Sequence, residues 1–406
     1  MSKWKEFRLA DVAVVNKRSV NNEFSYNDIE YIDTSSVTEN KFENPVFMKF
    51  DDAPSRARRL IKSGDTILST VRPIQRHYGF IRDPKPNTVV STGFAVISPN
   101  GIDPKFLYYF LTQEEITEYL NTIAESGTTT FPAFRAEELN SLSIYAPEKI
   151  SDQTAIAEIL SSLDDKIELN NQINKELEAL AQALFKHWFI DFEFPNEKGK
   201  PYKSSGGKMV ESELGEVPSD WTVRTLQDDF DINMGQSPNG TTYNETGSGM
   251  IFFQGRSDFG FRFPSIRMYT TDPKKIARTG ETLISVRAPV GDVNMALQDC
   301  CIGRGVGSIS SKQKLMSYTY YKILSLQPEL KKFDNEGTVF GSINKDTLGS
   351  ISISIPTKKV KAHFNEIVVE VDKLIRESVL ENESLRALRD ALLPKLITGK
   401  LQVKIS

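Results

Sequence analysis

Cysteine and histidine are scarce in this chain, and their scarcity argues against several kinds of site. Only two cysteines, Cys300 and Cys301, occur among 406 residues, and neighbours in sequence rarely form a disulfide. Unpaired cysteines are typical of a reducing compartment, so we expect the chain in the cytoplasm. The three histidines, His77, His187 and His363, are far apart, and no Cys/His spacing typical of a metal site is present. We therefore expect no metal site.

Long apolar runs and a charge excess are also missing. No run of about 18 apolar residues occurs, so we expect no membrane span. Residues 1–6 lack the apolar segment of a signal peptide. Fifty Lys and Arg stand against 54 Asp and Glu, for a net charge of −4. This balance argues against a protein that binds nucleic acid through general positive charge alone, but it allows a basic cleft on an acidic molecule.

Known catalytic motifs are absent as well. The nearest approach to a phosphate-binding G-x-x-x-x-G-K-[ST] loop is segment 205–209, which lacks both the spacing and the hydroxyl. Segment 303–307 is glycine-rich, but a strand is expected after it, so a tight turn is favoured over a nucleotide loop. No Asn/Asp-Pro-Pro-aromatic stretch is present to hold a flipped base. We expect no catalytic residue and no cofactor.

What the chain does have is a repeat: the same landmarks occur twice, in the same order, a little over 200 residues apart. The matching landmarks are Trp4 and Trp221, Leu9 and Leu226, segment 64–72 and the shorter segment 280–287 (each ending in an arginine), Gly127 and Gly337, and Pro147 and Pro356. A period this long excludes solenoids and propellers, whose repeats are about 20–50 residues. Two copies of one module suit a ligand with two sites on one face, of which duplex DNA is the obvious candidate.

Strand and helix patterns follow the same order in both halves and predict a mixed α/β (α+β) fold. We expect two similar domains joined by two long helices that form an antiparallel coiled coil, with pseudo-twofold symmetry. The expected bounds are 1–150 for the first domain, 151–192 for the first helix, 193–219 for a linker, 220–356 for the second domain, and 357–406 for the second helix and tail.

The two helices carry the strongest pattern, a 3.5-residue spacing of apolar residues. The first seam is Ile156, Leu160, Leu163, Ile167, Asn170, Asn174, Leu177, Ala181, Leu184 and Trp188; the second is Phe364, Ile367, Val371, Leu374, Ser378, Glu381, Leu385, Leu388 and Leu392. Both seams turn polar in the middle, so antiparallel pairing would bring the polar centres together. The alternative is that each helix packs separately on its own domain. We expect Pro394 to end or kink the second helix.

Loops at equivalent places in both halves supply side chains of the kinds that contact base edges and phosphates. In the first half the candidates are Arg72, Gln75, Arg76, Thr129 and Arg135; in the second they are Gln236, Ser237, Tyr243, Gln254, Arg256, Arg287, Arg304 and Asn344. For any single arginine, a surface salt bridge is at least as good an interpretation. The scaffold repeats while the loop contents differ, as two readers of two different short sequences require. A helix of about 35 residues, about 50 Å long, could hold two such readers apart.

The motifs that point to a family are segments 156–170 and 183–189 of the first helix, 385–401 at the carboxyl end, and 235–238 and 301–305 of the second domain. With these motifs, and its order of domain, helix, domain, helix, the chain resembles the specificity (S) subunits of type I restriction–modification enzymes. The resemblance covers essentially the whole chain. The first domain has no clear counterpart of the Gly-Gln-Ser-Pro segment 235–238.

The resemblance implies a non-catalytic reader of double-stranded DNA. Each domain would be a target-recognition domain for one half of a bipartite target, and the helices would set the spacer. Two modification subunits, which bring S-adenosylmethionine and methylate adenine, would dock on the helices, and restriction subunits would join them. We expect Phe185, Trp188 and Phe189 to contact a partner; packing on the chain's own domains is the alternative. Rival interpretations are a coiled-coil adaptor that never reads DNA, and a nuclease or methyltransferase with an unfamiliar site.

Overall fold

The computed structural model describes residues 3–126, 132–334 and 341–403, and the chain divides into two compact units. Unit 1 consists of Met1–Leu169 and Glu381–Ser406, and unit 2 of Asn170–Leu380. Each unit therefore combines one globular domain with part of each long helix. Among the described residues, no helix is long and apolar enough to cross a membrane.

The domain of unit 1 is built on two four-stranded sheets. Its strands are β1 (Trp4–Arg8), β2 (Ala13–Val15), β3 (Asp28–Ile32), β4 (Val37–Thr38), β5 (Lys41–Phe42), β6 (Val46–Lys49), β7 (Ala57–Leu60), β8 (Thr66–Ser69), β9 (Tyr78–Phe80), β10 (Thr88–Ser91), β11 (Phe94–Pro99) and β12 (Ser143–Pro147). One sheet has the antiparallel order β2-β11-β8-β9. The other has the order β6-β3-β10-β7, in which β3 and β10 run parallel. Strand β1 pairs with β12, and β4 with β5.

Three short helices complete this domain: α1 (Leu9–Val12), α2 (Pro104–Leu111) and α3 (Glu114–Glu125). Helix α2 begins with a proline at its first position and an aspartate cap, because the Asp103 carboxylate accepts a hydrogen bond from the Phe106 N–H at 2.9 Å. Its apolar side chains are buried in the core of unit 1 together with residues of the first long helix.

The domain of unit 2 repeats this architecture. Its strands are β13 (Met209–Val210), β14 (Val217–Pro218), β15 (Thr222–Thr225), β16 (Phe230–Met234), β17 (Tyr243–Asn244), β18 (Met250–Phe253), β19 (Tyr269–Thr270), β20 (Ile276–Ala277), β21 (Thr282–Ser285), β22 (Val293–Met295), β23 (Cys300–Ile302), β24 (Val306–Ser311) and β25 (Ser352–Ile355). Strands β16-β24-β21-β22 form the counterpart of β2-β11-β8-β9. In the sheet β17-β19-β18-β23-β20, the parallel pair β18 and β23 corresponds to β3 and β10. Strand β15 pairs with β25 as β1 pairs with β12, so the predicted duplication is confirmed.

The helices of unit 2 also follow the order found in unit 1. They are α5 (Leu226–Asp229), α6 (Met316–Ser325), α7 (Gln327–Leu330) and α8 (Lys345–Gly349). Residues 193–219, expected as a linker, are folded against this unit. The buried Phe194 ring stacks on Trp221 at 5.3 Å, and β13 pairs with β14.

The two long helices, preceding and following the second domain, are 40 residues each and pair antiparallel. They are α4 (Ile150–Phe189) and α9 (Lys358–Ile397), which we call the N-helix and the C-helix. The contacts are, in unit 1, Asp164 with Arg389 (2.8 Å) and Lys166 with Glu381 (3.2 Å), and, in unit 2, Phe185 with Phe364 (ring centroids 5.6 Å apart) and Trp188 with His363 (5.3 Å). In each unit the C-helix residue number falls as the N-helix number rises. The predicted antiparallel coiled coil is confirmed, and the alternative of separately packed helices is wrong.

The seam of the N-helix follows the prediction, with all ten positions buried or half-buried, but the C-helix has a different phase. Ile367, Leu374 and Leu388, predicted to lie in the seam, are 42–53 % exposed, whereas Val368 and Ile375 are fully buried. Starting at Phe364, successive seam positions are four and then three residues apart, whereas the predicted seam positions were three and then four residues apart. Apolar residues fit both phases, so the pattern alone did not decide between them.

The corrected phase changes the interpretation of the carboxyl end. Leu396, which fell one residue outside the predicted seam, lies in the corrected seam and is buried. The C-helix does not end at Pro394 but continues to Ile397. In the polar middle of the seam, Asn174 Oδ1 and Ser378 Oγ are buried without a hydrogen-bond partner among the described residues. Such groups lower stability while favouring one register.

Candidate nucleic-acid interface

The parallel strands β18 and β23 create a recessed surface in unit 2. Because they run parallel, their carboxyl ends meet at the same edge of the sheet, and the segments 254–256 and 303–305 follow there. These segments border a cavity of about 500 Å³. Its lining is Ser237, Pro238, Gly240, Tyr243, Gln254, Gly255, Arg256, Arg287, Ala288, Arg304 and Gly305. Six residues predicted from the sequence are thus brought together: Ser237, Tyr243, Gln254, Arg256, Arg287 and Arg304.

Glycines allow the backbone segments of this cavity to approach each other. A Cβ atom on Gly235 would lie 2.2 Å from the carbonyl oxygen of Gly303, and one on Gly305 would lie 2.5 Å from that of Gln254. No side chain fits at either position without moving backbone. The glycine-rich segment 303–307 is therefore the tight turn expected from the sequence, and it holds Arg304 at the cavity wall.

The arginines of the cavity differ in how they are held. Arg287 and Arg304 are exposed, and neither guanidinium has a hydrogen-bond partner among the described residues. Arg256 is oriented by Asp292, whose Oδ2 accepts from its Nε at 2.6 Å. The Arg304 N–H donates to Ser237 Oγ at 3.2 Å, which joins the two sides of the cavity. As far as the described residues show, the cavity thus combines two guanidinium groups without a partner and one that is fixed in direction.

Tyr243 and Asn344 also have local structural roles. The Tyr243 hydroxyl donates to the Pro238 carbonyl at 3.0 Å, so it stabilises the loop that carries Ser237. Gln236 is exposed but does not line the cavity. Asn344 caps α8, because its Oδ1 accepts from the Thr347 N–H at 2.9 Å. Its loop reaches the cavity region through backbone pairing of Ser342 with Arg287.

In unit 1 the two predicted loops also come together. The Arg72 N–H donates to the Pro132 carbonyl at 2.9 Å, and Val71 pairs with Ala133. Arg72 and Gln75 are exposed; Arg135 is exposed and begins a 3₁₀ turn. Thr129, with the landmark glycines Gly127 and Gly337, lies outside the described residues.

Arg76 is the candidate most engaged within the protein itself. Its guanidinium forms ion pairs with Glu39, at 3.5 Å, and with Glu114. Its backbone is left-handed, with φ +57°. A contact with DNA would therefore have to compete with two carboxylates.

The repeat brings the arginines Arg72 and Arg287 to different positions. Gly64 and Gly280 occupy equivalent turns, with φ +87° and +81°, and the strands that follow have the same length. Pairing with the second loop then makes Val71, not Arg72, the counterpart of Arg287. Matching segment 64–72 with segment 280–287 by their final arginines therefore misaligned Arg72 and Arg287 by one residue. The two units do not present arginine from the same position.

The aromatic residues Phe185, Trp188 and Phe189 lie in the core of unit 2, where they are 3 %, 5 % and 2 % exposed. Phe189 packs edge-on against Phe364 at 5.1 Å and lies 5.9 Å from Trp221. This burial corrects the expectation that they contact a partner subunit. Aromatic residues on an amphipathic helix carry the same pattern whether they face the chain's own domain or another protein.

Several arginines with long-range contacts were missed in the sequence, among them Arg56 and Arg262. Arg56 lies between Asp33 and Tyr31 in unit 1, and Arg262 is completely buried in unit 2. Neither belongs to a repeated landmark, so the sequence offered no signal beyond the residue type.

Comparison with known proteins agrees with this architecture. Residues 1–179 and 218–386 match the family model of the type I restriction modification DNA specificity domain. The chain is 30 % identical over 467 residues to the type I restriction enzyme HindI specificity subunit of Haemophilus influenzae, covering 99 % of this chain and 100 % of the relative. It is 26 % identical over 362 residues to the type I restriction enzyme MjaIX specificity subunit of Methanocaldococcus jannaschii, covering 85 % and 79 %.

Among solved structures, the S subunit of the type I restriction–modification system from M. genitalium has the same fold. Its TM-score is 0.57 at 16 % identity, over 100 % of this chain and 97 % of that one. The fold and the matched segments define a duplicated specificity-domain protein. This chain belongs to the family of type I restriction–modification specificity subunits.

Proposed function

We propose that this chain is the DNA-reading, non-catalytic subunit of a type I restriction–modification complex, and that each domain recognises one half of a bipartite target. The observation that carries the proposal is the cavity of unit 2. Arg287 and Arg304 are exposed there, with no hydrogen-bond partner for either guanidinium among the described residues, beside the exposed amide of Gln254. Arginine binds the O6 and N7 atoms of guanine through two hydrogen bonds, and glutamine binds N6 and N7 of adenine in the same way.

The state of each cavity arginine suits a different contact. Arg287 and Arg304 form no ion pair with any residue that the structure describes, so we expect their full hydrogen-bonding capacity to be available to DNA. Arg256 is held by Asp292 and keeps its Nη groups for a phosphate or a base. Because the chain carries a net charge of −4, these local cations must act against an acidic background. We therefore expect high affinity only in the assembled complex.

We further propose that the helices set the spacer between half-sites and dock the partner subunits. In unit 2, Ile173, Leu180, Ile367 and Leu374 are 42–61 % exposed, although their helices already bury a seam. Unit 1 carries Leu169 and Leu388 in the same state. Exposed apolar side chains on paired helices favour contact with further helices. Their presence in both units supports two modification subunits, which restriction subunits would then join.

The test is a map of methylated adenines in DNA from cells that express this chain with its modification subunit. A two-part motif with a fixed gap, lost when this chain is omitted, is the expected result. A stable complex without new methylation would favour the adaptor interpretation. Methylation by this chain alone would contradict a non-catalytic role.

A further inference from the structure

The surface of unit 1 that corresponds to the cavity of unit 2 can be located from strand register. Ile32 pairs with Val90 across the parallel strands of unit 1, as Phe253 pairs with Ile302 in unit 2. The residue that follows Ile32 is therefore the counterpart of Gln254. That residue is Asp33, a carboxylate in place of an amide.

The counterpart of Arg304 follows from a second register. The carbonyl of Gly93 accepts from the Thr70 N–H in unit 1, as that of Gly305 accepts from the Val286 N–H in unit 2. The residue before Gly93 is Thr92, so unit 1 has threonine where unit 2 has Arg304. With Val71 in place of Arg287, unit 1 lacks both partner-free arginines of the cavity.

Another arginine lies between these two positions. The Arg56 carbonyl accepts from the Thr92 N–H at 2.8 Å. Its side chain lies against Asp33, the counterpart of Gln254: Nη2 donates to Asp33 Oδ2 at 2.7 Å, and Nε donates to the Tyr31 hydroxyl at 3.1 Å. Strand β7 runs antiparallel to β10, so its amino end meets the carboxyl ends of β3 and β10 at one edge of the sheet. Arg56 enters that edge from a different strand than Arg304 does.

The guanidinium is both oriented and available. Arg56 is 55 % exposed in its side chain. Asp33 and Tyr31 engage Nη2 and Nε, while Nη1 has no partner among the described residues. Two Nη1 hydrogens and one Nη2 hydrogen remain for an acceptor. A guanidinium fixed by a carboxylate, with two adjacent donors free, has the fork that guanine O6 and N7 accept.

We propose that Arg56 is the guanine-contacting arginine of the first domain, and that Asp33 and Tyr31 are its positioning residues. This inference rests on the proposed DNA-reading function. It supplies the contact that unit 1 lacks at the positions of Arg287 and Arg304. It also implies that Arg56 and Arg304 enter corresponding sheet edges of the two units from non-equivalent strands.

The test uses the full chain in complex with its modification subunits and compares methylation motifs in vivo. Arg56→Ala is expected to relax one guanine position in one half-site by about ten- to a hundredfold in discrimination, with the gap and the other half unchanged. Arg56→Lys keeps the charge and the stem but loses the fork, so the same position should relax while the complex still assembles. Arg82→Ala is the matched control. Its side chain is 51 % exposed and pairs at 2.8 Å with Asp165 of the N-helix rather than with Asp33 or Tyr31.

Each outcome is decisive. An unchanged motif in both Arg56 variants, or equal loss in both half-sites, overturns the proposal. The relaxed half must also be the one that Arg287→Ala leaves intact; relaxation of the same half by both overturns it too. If Arg56→Ala fails to assemble, Arg56→Lys decides. If the wild-type chain gives no two-part motif at all, it is the proposed function that fails, before Arg56 is tested.

Discussion

Replacing Arg262 by methionine should destabilise unit 2 far more than the loss of an ordinary surface charge. The Arg262 side chain is completely buried and forms ion pairs with Glu178 of the N-helix, at 2.8 Å, and with Asp372 of the C-helix. It also donates to the Tyr321 hydroxyl at 3.2 Å and lies 3.5 Å from the ring centroid of Tyr320. One side chain thus joins the domain to both helices.

The magnitude follows from what the substitution leaves behind. Methionine fills part of the volume, but Glu178 and Asp372 lose their shared cation while they remain largely buried. Removing one partner of a buried ion pair costs about 3–5 kcal/mol, because the remaining charge is uncompensated. The control is Arg278→Met in the same unit. Its guanidinium is 67 % exposed and pairs with Asp299 at 2.6 Å, so its removal should cost about 0–1 kcal/mol.

The assay is denaturant unfolding followed by tryptophan fluorescence, since Trp188 and Trp221 are both buried in unit 2. Burial raises the pKa of the Asp372 carboxyl above its usual value, even though Arg262 opposes the shift. Without Arg262 the pKa rises further, so the folded state binds a proton more readily than the unfolded chain. Stability then falls as pH rises through the folded pKa. The destabilisation should be larger at pH 8 than at pH 5.

A companion variant separates charge from packing. Arg262→Met combined with Glu178→Gln and Asp372→Asn removes the unpaired charges and should recover part of the lost stability. A cost for Arg262→Met no larger than that of Arg278→Met would refute the reasoning. A cost independent of pH, with no recovery in the triple variant, would assign the effect to packing instead.

Three further outcomes follow from the proposed function. Arg287→Ala should remove about 1–3 kcal/mol of base discrimination in one half-site of the methylation motif and none in the other; equal effects on both would make the arginine structural. Insertion of one heptad into both helices should lengthen the gap without altering either half-site, and an unchanged gap would contradict the spacer proposal. Leu180→Glu with Leu374→Glu should abolish binding of the modification subunit in size-exclusion chromatography while stability changes by only about 0.5 kcal/mol; retained binding would show that docking lies elsewhere.

The sequence was informative where local pattern and tertiary structure agree. The N-helix seam was predictable because its ten positions recur at one spacing, whereas the exposed apolar residues Leu169, Ile173 and Leu180 form only a short second line. Six of the eight candidates of unit 2 line its cavity, and glycines such as Gly235 and Gly305 accompany their polar side chains in the sequence. Close backbone approach requires glycine, and that requirement is visible in a sequence.

Other features depend on relations that a pattern does not contain. The C-helix has apolar residues in two phases. Only the packing of the folded chain selects Val368 and Ile375 for the seam over Ile367 and Leu374. Arg56 is separated by 23 residues from Asp33 and by 36 from Thr92, so its place between them depends on strand order. Burial of Arg262 depends on carboxylates 84 and 110 residues away.

In both units a tyrosine, a carboxylate and an arginine join the domain to the helices, but the arginine comes from a different segment in each. Tyr109 of α2 and Tyr321 of α6 are counterparts. The Tyr109 hydroxyl donates to Asp164 of the N-helix at 2.6 Å, and that carboxylate accepts from Arg389 of the C-helix. In unit 2 the tyrosine again meets an N-helix carboxylate and an arginine, but Arg262 comes from the domain. The requirement is for a tyrosine, a carboxylate and a cation at one place, and either element can supply the cation. The proposed role of Arg56 is similar. Each unit has an arginine at the corresponding edge of its own sheet, but the arginine comes from a different strand in each unit.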